Sequence, residues 1–363
     1  MLFAAGLSQA GIVPLQAQDE DESPVVIGLL LPDHTHEAVI QAAEMALKEA
    51  NRSGGYQGRE FKLAVRTAEG FWGAGSKESV SLVYEDRVRA IVGSLDGRNG
   101  HLAEQVATKS HLAYVETWAT EPTLSQAFVP WFTRLVPSDR QQAEALASLI
   151  RHRGGGSTAI LSAPDDYDCR YAVKSLQKAL AKQDIPAREI PAGPGSVAAG
   201  LAQKIKDAGI QHLVLPYRSA VTEQLLTLLQ AGNPAPNLYG TLHMHMDLEA
   251  QSLPLSPYEG GILVASPHAQ IREGQLFIGA WYEAHGNKPT QRQVYVYDAF
   301  IAVVEAIRKA GLLREDISKC LLESDFKGMA TGPLSFDALG NRKDAAHLFK
   351  VENGYLVPHG NEP

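Results

Sequence analysis

Val25–Leu31 reads VVIGLLL, seven residues without a polar side chain and without alternation. A strand of this kind must be covered on both faces, which happens when helices flank a parallel sheet. The next segment changes period. Its apolar residues Val39, Ala42, Ala43, Ala46, Leu47 and Ala50 recur at helical spacing, Gln41, Glu44, Lys48 and Arg52 fall on other faces, and Gly54-Gly55 supplies a stop. Strand patterns at 61–67, 90–93 and 112–116, with helical patterns at 77–86 and 101–110, continue the alternation. The order is βαβαβαβ, a parallel sheet with crossover helices.

The pattern then restarts. Pro137-Ser138-Asp139 offers a break and a helix cap. Strands are expected at 158–163, 187–190, 213–216 and 238–244, with helices running to about 152, through Ala172–Leu180, and over 197–208 and 220–229. Two successive sets of similar order and length imply an α/β protein with two Rossmann-like lobes. A length of 363 residues suits two such cores. The last third holds a strand at 260–267, helices at 274–285, 295–310 and 314–322, and short strands at 334–336, 348–351 and 355–357, the last two turning through Glu352-Asn353-Gly354. That is too little strand for a third domain, so these elements are expected to return and complete the first two.

Charge and composition narrow the function classes. A formal net charge of −8 disfavours nucleic acid and anionic membrane surfaces, both of which select basic faces. Residues 1–17 (MLFAAGLSQAGIVPLQA) read as a secretory signal lacking its basic n-region, followed by the acidic run Asp19-Glu20-Asp21-Glu22. The leader is placed at 1–23. The two cysteines, Cys169 and Cys320, form no recognisable metal or redox motif.

Motifs for catalysis are sparse. Neither a G-x-S-x-G elbow nor a G-x-x-x-x-G-K-[ST] loop is present. Gly193-Pro194-Gly195-Ser196-Val197-Ala198 matches a dinucleotide pattern superficially, but Pro194 stiffens the turn and an ordinary loop is the better reading. His243, His245 and Asp247 alternate as HMHMD. On an extended chain they share one face, a metal-like spacing; the plainer reading is a strand end entering a polar loop, with one His lining a cleft. No metal and no cofactor is expected, nor an enzyme. Loops at the carboxyl ends of the strands are the usual ligand position in open α/β sheets. They carry Gly97-Arg98-Asn99-Gly100, Trp118-Ala119-Thr120 and the Asp165–Asp168 cluster around Tyr167. Free N–H groups at the first of these suit an anion.

VVIGLLLP followed by ALKEANRSGGYQGREFKLAV resembles the opening of the leucine/isoleucine/valine-binding proteins, members of the type I periplasmic binding proteins. VRAIVGSLDGRNGHLAEQVATKSHLAYVETWATEPTL, ILSAPDDYDCRYAVKSLQKAL, YEGGILVASP, VYVYDAFIAVVEAIRKAG and GMATGPLSFDALGN extend the resemblance over nearly everything after Ser23. The resemblance implies two lobes joined by a three-segment hinge, with crossings near Pro137, Pro267 and Thr331. The first lobe would comprise 24–136 plus 268–331, the second 137–267 plus 332–363. It implies a ligand site at Gly97, Arg98, Trp118 and Thr120 from one lobe and Tyr167, Tyr217, Arg218 and His243 from the other.

The family's amino-acid binders meet the ligand ammonium with an acid where this chain has Leu242 or His243. A buried ammonium without a carboxylate costs several kcal/mol. Amino acids, amide- or urea-like molecules and small carboxylates therefore all remain candidate ligands. The expected function is that of a periplasmic, monomeric substrate-binding protein serving an ABC importer permease, with a ligand-sensing regulator on the same fold as the alternative.

Overall fold

The computed structural model describes residues 23–70, 73–126, 129–232, 234–344 and 346–360. The expected leader at 1–23 therefore lies, apart from Ser23, outside the described residues. Strand β1 (Val25–Leu31) pairs in parallel with β2 (Phe61–Thr67) on one side and β3 (Ala90–Gly93) on the other. Strands β4 (Ala113–Glu116) and β5 (Phe132–Arg134) extend the sheet, giving the order β2-β1-β3-β4-β5. Helices α1 (Glu37–Arg52), α2 (Ala74–Tyr84) and α3 (Gly97–Lys109) are the crossovers. Every residue of β1 except Val26 is buried, as its unbroken apolar run requires.

After β5 the chain enters α4 (Asp139–His152) and builds a second sheet from β6 (Thr158–Ser162), β7 (Ala187–Pro191), β8 (His212–Leu215), β9 (Asn237–Gly240) and β10 (Ile262–Val264). Its crossovers are α5 (Tyr167–Lys182), α6 (Ala198–Asp207), α7 (Thr222–Gln230) and α8 (Leu242–Ala250). The parallel part runs β7-β6-β8-β9-β10, the same winding as the first sheet. Strands β11 (Leu348–Glu352) and β12 (Tyr355–Pro358) then add an antiparallel hairpin beside β10. Between the two strand sets the chain returns to the first lobe as α9 (Arg272–His285), α10 (Gln291–Ala310) and α11 (Arg314–Glu323), with α10 lying along α1 and α11 against β4.

Three details differ from the sequence reading. Strand β5 was not anticipated, because Phe-Thr-Arg is too short to show a period. The strand expected at 238–244 stops at Gly240, and Thr241 caps α8 by accepting the N–H of Met244. The strand expected at 334–336 is a pair of isolated bridges, Phe326 to Leu334 and Phe336 to Arg342.

Pro137, Pro267 and Thr331 lie in the three connections between the sheets, and buried polar groups fasten these connections. Arg134, wholly buried, donates to the carbonyls of Ala119 (3.3 Å) and Glu121 (2.6 Å), to Ser125 Oγ (3.1 Å) and to Asn341 Oδ1 (3.0 Å). Its own N–H donates to the Gly340 carbonyl at 2.8 Å, so the first and third connections are tied together. Asp298 on α10 accepts the N–H of Ala330 and of Thr331, both at 2.7 Å, and the Thr331 hydroxyl at 2.6 Å. Arg342 closes the ring by donating to Thr331 Oγ1 and to its carbonyl, each at 2.8 Å. Asp298→Ala strands three buried donors and should lower stability by about 3 kcal/mol; the shift of the urea midpoint measures it.

Candidate functional site

Both sheets direct the carboxyl ends of their parallel strands toward the other lobe, and the site is built where those ends meet. In the first lobe its shape begins with Glu116, the last residue of β4 and fully buried. Its Oε1 accepts the backbone N–H groups of Thr117 (2.9 Å), Trp118 (2.8 Å) and Ala119 (3.1 Å), folding the chain into a tight loop. Its Oε2 accepts the Tyr114 hydroxyl at 2.5 Å. Tyr114 reaches it only because residue 93 is glycine, where a Cβ would lie 2.2 Å from the phenol oxygen. Burial raises the Glu116 carboxyl to about 7. Glu116 thus acts through the loop, aiming Trp118 and Thr120.

Trp118 is the centre of the arrangement. Its indole Nε1 donates to His243 Nε2 at 2.9 Å, a bond between the lobes. An imidazole that accepts at Nε2 carries its proton on Nδ1, and that buried Nδ1 has no partner in the protein. Burial, then the nearby Arg292, pulls the His243 pKa down to about 3, so the ring is neutral.

Arg292, at the start of α10, lies over the indole with its guanidinium carbon 3.0 Å from the ring centroid. It donates to Ser94 Oγ (2.9 Å), the Ser94 carbonyl (2.7 Å) and His36 Nδ1 (3.1 Å). None of these partners is anionic, and no carboxylate pairs with it among the described residues. Burial pulls its pKa well below the usual guanidinium range, yet arginine remains a cation in proteins. His36 meets the indole edge-on at 5.8 Å and is held neutral, near 4, by burial and then by Arg292.

Around this platform sit three further buried groups: Tyr217, whose Oη has no protein partner, and Thr120 and Asp139, whose hydroxyl and carboxyl face each other. The Tyr217 ring lies 4.4 Å from that of His243. Asp139 opens α4, and its N–H donates to the Thr120 carbonyl at 2.7 Å. Burial pushes the Asp139 carboxyl up to about 7 and the Tyr217 hydroxyl well above its usual value. An atom such as Tyr217 Oη costs about 1–3 kcal/mol when buried unpaired, which is the signature of a group arranged for something other than its own chain.

Of the residues expected from sequence, Trp118, Thr120, Tyr217 and His243 come together here. Gly97 is adjacent, but its N–H is taken by Asp168 of α5, at 3.0 and 3.1 Å. Arg98 is exposed and lies over the Tyr167 ring at 5.2 Å; Tyr167, half-buried, also meets Tyr171 at 5.1 Å, so this pair forms a rim. Arg218 is drawn away into a two-pronged pair with Glu223, at 2.8 and 3.0 Å. The HMHMD segment is helical, so His243 and Asp247 share a face while His245 points elsewhere, 2.6 Å from Gln291 Nε2. Among the described residues no three His, Cys, Asp or Glu side chains are grouped to hold a metal ion.

Glu116 and Arg292 are absent from the sequence-based expectations, where Asp139 appears as part of a helix cap and Asp168 as a member of the Asp165–Asp168 cluster. Arg292 carried one signal: neither Lys288, Pro289, Tyr295 nor Val296, three and four residues away, is an acid to pair with it.

A family model described as periplasmic binding protein matches residues 24–354. The fold matches an ABC transporter substrate-binding protein from Desulfitobacterium hafniense in complex with Leu, at a TM-score of 0.79 and 19% identity, covering 93% of this chain and 100% of that one. A branched-chain amino acid transporter substrate-binding protein from Streptococcus pneumoniae, in complex with isoleucine, matches at 0.78 and 18% identity over 92% and 97%. A solute-binding protein of an ABC transporter from R. palustris, in complex with benzoate, matches at 0.77 and 16% identity over 93% and 96%. A plant relative, glutamate receptor 3.1 of Oryza sativa subsp. japonica, is 31% identical over 109 residues, which is 30% of this chain and only 11% of the receptor. Among the described residues no helix is long and apolar enough to cross a membrane. The chain, matched over most of its length, belongs to the periplasmic binding protein family, a family of binding proteins and not of enzymes.

Proposed function

We propose that this chain is the periplasmic, substrate-receiving component of an ABC importer, and that its solute is a small carboxylate without an α-ammonium group. The observation that carries the reading is Arg292, a buried guanidinium stacked on Trp118 with only neutral partners. Desolvating such a charge costs several kcal/mol, and an anionic ligand recovers that cost. Arginine is suited to the task because its planar fork binds a carboxylate through two parallel hydrogen bonds.

At positions 242 and 243 the second lobe offers an ammonium no acceptor. Leu242 is buried in the core, its N–H donating to Gln142 Oε1 at 2.8 Å. His243 accepts from Trp118 and presents an N–H on its other side, a donor where an ammonium needs an acceptor. Leucine, isoleucine, benzoate and 3,4-dihydroxybenzoic acid, the ligands named for solved relatives, all carry a carboxyl group. Benzoate-like acids fit this site because they offer the carboxylate without the amine. Closure of the lobes over the ligand would then give the permease a distinct shape to recognise. The partial likeness to a plant glutamate receptor supports a second reading, a ligand sensor using the same clamp.

Isothermal titration should find benzoate or 3,4-dihydroxybenzoate binding, with leucine at least tenfold weaker. Arg292→Met should weaken the carboxylate about 100-fold, near 2.7 kcal/mol. Leucine binding as well as benzoate does, or an unaffected Arg292→Met variant, would overturn the proposal. Affinity should also fall as pH rises. Below about 7 the Asp139 carboxyl is neutral and can donate; above it the ionised group repels an anion, by at most about tenfold per pH unit. Titrations at pH 6 and pH 8 check this, and Asp139→Asn should reduce the slope.

A further inference from the structure

Helix α8 has two working faces. His243 meets Trp118 on one of them, while His245 and Glu249, a turn apart, lie on the other. There they border a second cavity of about 520 Å³, bounded by α8, the segment after β10, α9, the start of α10 and the β11–β12 hairpin. Leu248, Leu253, Ile278 and Phe349 give it an apolar wall, and Tyr355, largely exposed, stands at its edge. A space of this size and lining suits a small organic molecule.

Its polar wall is set by Gln291, which is wholly buried. The Gln291 Oε1 accepts the N–H of Ser266 at 2.5 Å, so its Nε2 is the amide nitrogen and donates to His245 Nδ1 at 2.6 Å. An imidazole that accepts at Nδ1 carries its proton on Nε2. That Nε2–H stands 3.8 Å from Glu249 Oε1, too far for a hydrogen bond. Glu249 is held by its other oxygen, which accepts the N–H of Gln291 at 2.9 Å. A donor and an acceptor thus stand side by side without satisfying each other. His268 lines the same cavity, and its buried Nδ1 has no partner in the protein, a condition that asks for an outside group. Burial, as the chief cause, pulls His245 and His268 down to about 4 and lifts Glu249 to about 7. All three shifts favour neutral forms.

We propose that this cavity is a second binding site, separate from the interlobe one, for an uncharged carboxamide carried on a compact apolar or aromatic body. A carboxamide holds its oxygen and nitrogen about 2.3 Å apart, so its oxygen can accept from His245 Nε2 while its N–H donates to Glu249 Oε1. The hydrocarbon body then lies against the leucine wall. A carboxylate would meet Glu249, and an ammonium would meet the His245 N–H, so neither ion suits the pair. The assignment does not depend on which solute the interlobe site takes.

Isothermal titration with benzamide tests it. The wild type should bind one benzamide per chain. Ala269→Trp fills the cavity from an exposed position, and Leu253→Trp fills it from another wall; each should weaken benzamide by about tenfold or more. His245→Phe keeps a ring but loses the N–H and should cost about tenfold, whereas Glu249→Gln keeps Oε1 and should stay within about threefold. Circular dichroism melts establish which variants are folded. Crystals of the wild type soaked with 4-bromobenzamide locate the probe by the bromine signal without any substitution, and its amide should lie beside His245 and Glu249. Benzamide that fails to bind, that binds both folded tryptophan variants as well as the wild type, or that sits outside this cavity would overturn the proposal. Benzylamine binding more tightly than benzamide would do the same for the ligand class. The carboxylate reading of the interlobe site can fail without touching this result, because a benzamide seated there would be indifferent to both tryptophans.

Discussion

A parallel strand delivers its carboxyl end to the same edge as its neighbours, and this chain builds two such sheets with the same winding, β2-β1-β3-β4-β5 and β7-β6-β8-β9-β10. The loops leaving those edges must therefore meet. Backbone groups in these loops cannot join a sheet ladder, so buried side chains have to satisfy them. Glu116 does so for three consecutive N–H groups, and in doing so it fixes the direction of Trp118. The rest of the site follows from that anchor: the indole aimed at His243, the guanidinium laid on its face, and the hydroxyl of Thr120 turned inward.

The meeting of the edges also buries an unusual number of ionisable groups. Glu116, Asp139 and Asp168 have carboxyl groups raised to about 7, 7 and 8, in each case chiefly by burial, while His36 and His243 are lowered to about 4 and 3. All five shifts favour the neutral form. Arg292 is the exception, since it stays charged while its hydrogen-bond partners are neutral, and the carboxyl groups of Glu116, Asp33 and Asp247 act on it without forming an ion pair with it.

Much of this fold was legible in the sequence because burial on both faces leaves a mark that needs no context. VVIGLLL predicts its own strand, and the i, i+3, i+4 spacing of Val39–Ala50 predicts α1. Two stretches misled. HMHMD has the period of a strand, but tertiary burial of Leu242, Met244 and Leu248 against other elements makes it a helix. Phe132–Arg134 is too short to declare itself and pairs only because β4 is already in place. The site was legible in its loops and not in its partners. Trp118 and Thr120 follow a strand end, so position alone nominates them, but nothing in the order of residues reveals that Glu223 claims Arg218 or that Asp168 crosses to Gly97. Arg292 lies 174 positions from Trp118 in sequence, and only the packing of α10 against the first sheet brings them together.

The most direct measurement is a crystal structure of the protein soaked with 4-bromobenzoate, using the anomalous signal of bromine to place the ring. The carboxylate should lie about 3 Å from the Arg292 guanidinium, with the bromine between the lobes. A ring bound outside the interlobe space, or one inside it whose carboxylate avoids Arg292, would contradict the account.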